Sequence, residues 1–147
     1  MGQYHYMVNL DKREFLHPHK LGDGLKRGEQ INSHGGTMAA LTMLLACSNG
    51  RGGGDVEENP MVGRWAGDRI AVVGDYAEDA DLALEFAAGS IHDLCEVGGY
   101  RDISDEIKPL VERECQVRIT GDGWRKKDGT DHVAMRPDMV IEFGESS

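Results

Sequence analysis

Ser33-His34-Gly35-Gly36-Thr37-Met38-Ala39-Ala40-Leu41-Thr42-Met43-Leu44-Leu45-Ala46-Cys47-Ser48-Asn49-Gly50 is the stretch on which the fold turns. From Met38 to Cys47 only Thr42 is polar, and the residue types are mostly strong helix formers. Apolar side chains cover nearly the whole circumference, which predicts a helix buried on all sides. The run is half the roughly 20 residues that a membrane span needs. Ser48-Asn49-Gly50 supplies a C-terminal stop.

A buried helix requires other elements to cover it. Residues 3–10 alternate Tyr4, Tyr6 and Val8 with His5, Met7 and Asn9, the pattern of a strand. Asp11-Lys12-Arg13-Glu14 reads as a polar turn, and Phe15-Leu16 as the start of a returning strand. Pro18 ends it, because proline cannot continue a ladder. Residues 21–31 carry Gly22, Gly24 and Gly28 and read as loop. Trp65-Ala66-Gly67-Asp68 forms a tight turn into Ile70-Ala71-Val72-Val73, whose unbroken apolar run predicts a central strand covered on both faces. Residues 79–97 predict an amphipathic helix, stopped by Gly98-Gly99. Residues 104–114 predict a second, with Pro109 confined to its first turn unless the helix kinks. Residues 115–120 and 139–143 read as strands. The sum is one α+β domain spanning residues 1–147, a small, mainly antiparallel sheet packed by a buried helix and two amphipathic helices.

Composition narrows the function classes. The 147 residues include 26 acidic and 16 basic side chains, a formal charge of −10. That balance disfavours proteins that grip nucleic-acid phosphates or dock on anionic membranes. No signal peptide or membrane span is evident, which predicts a cytoplasmic location. Cys47, Cys95 and Cys115 are odd in number and widely spaced, as expected of buried free thiols in a reducing compartment rather than a zinc site. Nine of the 20 glycines fall at 22–36 and 50–54.

Several stretches together carry a resemblance: Met1-Gly2-Gln3-Tyr4 with Val8-Asn9-Leu10-Asp11-Lys12, Pro18-His19-Lys20 with Gly22-Asp23-Gly24, Ser48 to Asp55 (SNGRGGGD), and Asn59 to Tyr76 (NPMVGRWAGDRIAVVGDY). With Tyr100-Arg101-Asp102-Ile103-Ser104-Asp105-Glu106 after them in the same order, they resemble an uncharacterised family of small proteins from actinobacteria, their phages and prophages. The resemblance implies a viral or mobile-element setting and carries no activity.

Four groups of residues are candidate sites. Ser33, Gly35, Gly36 and Thr37 precede the helix, where free N–H groups and the dipole favour an anion; helix capping by Ser33 or Thr37 is the structural alternative. Arg51, among Gly50, Gly52, Gly53 and Gly54, offers a second anion contact, or the segment is a surface loop. Arg64, Trp65, Arg69, Asp75 and Tyr76 form the densest grouping of aromatic and charged residues, suited to stacking on a base and gripping a phosphate. The alternative there is Trp65 as a core anchor and Asp75 as a turn residue. Asp68 with Asp75 is a conceivable acid–base pair. His17 and His19 supply half a metal site, with Asp23 or Asp75 as further ligands. Arg125-Lys126-Lys127 beside Trp124 reads as a solvated hairpin tip. The leading expectation is a binding protein that sequesters a small anionic, nucleotide-like ligand without catalysis and without a cofactor, as a homo-oligomer. A module inhibiting a host protein, or a metal-dependent hydrolase using His17 and His19, are the alternatives.

Overall fold

The computed structural model describes residues 3–31, 35–82, 85–120, 123–126 and 131–132. Strand β1 (His5–Asn9) turns back into β2 (Glu14–Leu16) through residues 10–13. Asn9 Oδ1 holds that turn by accepting the N–H groups of Asp11 and Lys12, at 3.0 and 2.8 Å. A 3-10 turn, Pro18–Leu21, follows. Helix α1 (Arg27–Ile31) occupies part of the segment expected to be loop. Next come α2 (Thr37–Leu44), strand β3 (Ile70–Gly74), helix α3 (Ala88–Val97), the short β4 (Arg101–Asp102) and helix α4 (Ser104–Glu114). Strands β5 (Val117–Thr120), β6 (Gly123–Lys126) and β7 (Asp131–His132) complete the described elements. The expected strand at 139–143 lies outside the described residues.

One sheet has the order β3-β1-β2-β4, antiparallel except for the β2–β4 pair; the other is the antiparallel series β5-β6-β7. The architecture is α+β, as expected. Because side chains alternate across a strand, β1 serves two cores. Met7 joins Leu16, Met43, Leu44, Trp65, Ile103, Ile107 and Leu110, contributed largely by α2 and α4. Tyr6 and Val8 join Phe15, Val73, Ile91, Cys95 and Tyr100 on the α3 side.

Five expectations need correction. Helix α2 is buried along one stripe only (Thr37, Ala40, Met43, Leu44), while Leu45 just past its end is exposed. Its composition could not reveal that the covering elements reach only one side. Strand β3 is an edge, not a centre, because nothing described pairs beyond it. Residues 79–97 do not form one helix: a 3-10 turn at Asp79–Asp81 precedes α3, which starts only at Ala88. Gly98 does end α3 in the left-handed conformation, at φ 90°. Finally, Arg125 and Lys126 lie within β6, opposite Arg118 and Val117, rather than at a hairpin tip. Pro109 sits beyond the first turn of α4, and the helix continues through it. Among the described residues, no helix is long and apolar enough to cross a membrane.

Candidate functional site

The expected anion site at the start of α2 is closed by the protein itself. Buried Asp23 places Oδ2 at 2.6 Å from both the N–H and the hydroxyl of Thr37, which donate to it. A carboxylate from the Gly22-Asp23-Gly24 turn therefore sits where an external anion was expected. Gly35 serves packing: a Cβ there would lie 2.8 Å from Val117 Cγ1, so its missing side chain lets β5 approach. Gly36 is buried beside it, and Ser33 lies outside the described residues.

The Gly50–Gly54 loop is closed in the same way. Asp55 Oδ2 accepts the N–H groups of Gly50, Arg51 and Gly52 at 2.6, 2.7 and 2.9 Å. These bonds hold the Asp55 carboxyl below its ordinary range. The nest that could take a phosphate is filled by a residue three to five positions downstream.

The Trp65 grouping is structural. Glu14, only 3% exposed, accepts from Arg64 Nε at 3.0 and 3.2 Å, from Arg64 Nη2, and from the Trp65 indole N–H at 2.9 Å. Burial would push the Glu14 carboxyl up, but the bonds from Arg64 and Trp65 and the charges of Arg64 and Arg101 outweigh it and hold it down. Trp65 is fully buried and offers no face for a base. Arg69 is bound to Asp11 and Glu85 and lies over the Phe86 ring at 4.7 Å. Asp75 Oδ1 accepts the Tyr4 N–H at 3.1 Å. Asp68 is held by Lys12 and by Asn9 Nδ2, and those bonds keep its carboxyl ionised, which does not suit a general acid. Tyr76 is exposed. The nine of the ten predicted ligand contacts that lie among the described residues are thus dispersed, with Arg64, Arg69 and Asp75 engaged by other groups of the chain.

His17 and His19 do meet, with ring centroids 5.5 Å apart. They belong to an aromatic cluster built on Tyr6, which lies 5.2 Å from His17 and is stacked on His92 at 4.6 Å. His5 Nδ1, His17 Nδ1 and His92 Nε2 are buried without a hydrogen-bond partner among the described residues. Burial lowers the basicity of His5 and His17. Asp23 is engaged by Thr37 and Asp75 by Tyr4. Among the described residues, no group of three His, Cys, Asp or Glu side chains is placed to hold a metal ion.

Among the described residues, surface concavities of about 400 Å3 include two that bear on the site. One, lined by residues 46–49, 58–59, 62–63 and 66, contains no basic side chain. The other lies between α3 and the β1–β2 turn. Leu10, Phe86, Ile91, Leu94 and Tyr100 form its apolar wall, and Arg13, Glu85 and Ser90 supply polar groups. Glu85 is already bound to Arg69. Burial raises the pKa of the Tyr100 hydroxyl, a shift that the nearby Arg13 charge partly opposes, and this keeps it a proton donor. Arg13 has no carboxylate partner among the described residues, and its backbone is left-handed at φ 56°. Sequence reasoning placed Arg13 in a turn but did not single it out. The available signal was a long cationic residue at a hairpin position that favours Gly or Asn. Phe86 and Tyr100 gave no such signal, because the cleft is assembled from segments some 70–90 residues from Arg13 in the chain.

Comparison with protein-family models, with curated proteins and with solved structures finds no match to this chain.

Proposed function

We propose that the protein binds one small ligand with a flat apolar body and a single anionic group in the cleft between α3 and the β1–β2 turn, and that it does so without catalysis. The volume sits near the lower end of small-molecule sites and fits one ring system or a nucleoside-sized molecule. Phe86 and Tyr100 would flank the ring, while Arg13 would meet the anion with Ser90 as a further donor. The lining residues include no histidine or cysteine.

The observation that carries this reading is Arg13 itself. A left-handed non-glycine residue costs about 1 kcal/mol, and the side chain recovers nothing through an ion pair. Its presence opposes stability at the mouth of an apolar cleft, as expected of a group that serves binding.

Arg13→Gly tests this directly, because stability and binding should move in opposite directions. Thermal unfolding is measured with and without phenyl phosphate, benzoate and nucleoside monophosphates. At least one should stabilise the wild type in a concentration-dependent way. Arg13→Gly should be as stable as the wild type or more so, yet lose that response. A wild type indifferent to the whole panel, or a variant that still responds, refutes the proposal.

A further inference from the structure

The edge strand β3 carries a second inference, independent of the cleft. Pairing with β1 runs through alternate residues: Arg69 C=O accepts the Leu10 N–H at 2.8 Å, and the Asp75 N–H donates to Tyr4 C=O at 3.0 Å. In that register, Ala71 and Val73 also face β1, while Ile70, Val72 and Gly74 direct their backbone groups outward. Gly74 C=O accepts the Ala77 N–H at 3.2 Å. The N–H and C=O of both Ile70 and Val72 have no partner among the described residues. Natural edges are blunted by shortness, proline, bulges or an inward charge. The opposite edge, β4, is two residues long, but β3 is five residues of Ile, Ala, Val, Val and Gly with none of these devices. Val72 is 45% exposed.

We propose that β3 pairs with β3 of a second copy of this chain, antiparallel about a two-fold axis at Ala71. The Ile70 N–H then donates to the carbonyl of the partner's Val72, and the Ile70 carbonyl accepts that residue's N–H. The axis repeats both bonds, so all four free groups on each strand are used. Ile70 and the partner's Val72 become a directly opposed β-branched pair on one face, a favourable cross-strand combination. The strand is therefore complementary to itself in hydrogen bonds and shape, which is why a second copy is the chosen occupant. Five paired residues bury less than a standard interface, so association is weak and depends on concentration.

Sedimentation across a wide concentration range tests the assignment. The wild type should shift from monomer to dimer, and amide exchange at Ile70 and Val72 should slow over the same range. Val72→Lys introduces a charge on the edge, and Val72→Pro removes an outward-facing donor while leaving the bonds to β1. Each should raise the dimer dissociation constant by about tenfold or more with an unchanged circular dichroism spectrum. A wild type that stays monomeric throughout overturns the proposal. So does a dimer that both variants leave intact, or one that forms without protecting the Ile70 and Val72 amides; this last readout needs no variant to fold.

Discussion

Removing the Glu14 carboxylate should destabilise the fold through Trp65 and Arg64 together. In Glu14→Ala the indole N–H of fully buried Trp65 loses its acceptor, which costs about 1–3 kcal/mol. Arg64 is about a third exposed and can turn to water, so its loss is closer to the roughly 1 kcal/mol of a surface pair. The total is about 3 kcal/mol, or roughly 6–12 °C in Tm for a domain of this size. Glu14→Gln keeps an oxygen for the indole but loses the charge, and should cost about 1–2 kcal/mol. Arg64→Ala leaves a buried carboxylate with Trp65 as its hydrogen-bonding partner and the Arg101 guanidinium more distant, at 3.7 Å. Its cost should approach the 3 kcal/mol or more of a broken buried pair. Because both substitutions break the same interaction, the double variant Glu14→Gln/Arg64→Ala should be at least about 1 kcal/mol more stable than additivity predicts. Urea unfolding followed by far-ultraviolet circular dichroism measures all four corners of the cycle. Additivity within about 0.5 kcal/mol would refute the structural role of Arg64 and return it to the pool of ligand contacts.

Acid should act in two stages. His5 and His17 have folded-state pKa values below the usual 6.5, so the fold favours their neutral forms. That contribution is complete above pH 6.5 and is lost as pH falls below it. Glu14 and Asp102 are instead depressed carboxylates, so their contribution holds above the ordinary carboxylate range and disappears as pH falls through it. Unfolding free energy measured against pH should therefore begin to fall near pH 6.5 and fall further below about 4.5; a flat profile from pH 7 to 5 would contradict the histidine assignment. Thiol chemistry should separate the cysteines. Cys47 is exposed, contrary to the sequence expectation, whereas Cys95 is buried, with burial pushing its thiol up to about 12. Iodoacetamide followed by peptide mass analysis should label Cys47 in the native state and Cys95 only in denaturant. Native labelling of Cys95 would show that α3 lifts from the sheet.

Helix α4, the β1–β2 hairpin and the Gly98 stop were legible in the sequence because each rests on local chemistry. Period-3.6 patterning, period-2 patterning around a polar turn, and a left-handed glycine are all set within about ten residues. The site was less legible for the same reason. Asp23 and Thr37, Asp55 and the Gly50–Gly52 amides, and Glu14 with Arg64 and Trp65 each look like ligand-binding chemistry when one partner is read alone. In the structure each is satisfied by the other. Separations of 14 and 50 residues hide the Asp23 and Glu14 pairings from any reading of neighbours, whereas the Asp55 pairing is local, three to five residues apart.

The sequence by itself determined the α+β class, most of the elements and the fact that charge of both signs would gather around residues 50–76. Only the tertiary structure decided which charges neutralise one another and, among the described residues, that β3 lies at an edge with the outward amides of Ile70 and Val72 free and that Arg13 has no carboxylate partner beside an apolar cleft. The physical reason is that helix and strand periodicity is a property of consecutive residues. Whether a charge or a backbone amide is available to a partner depends on what the fold brings against it from elsewhere in the chain.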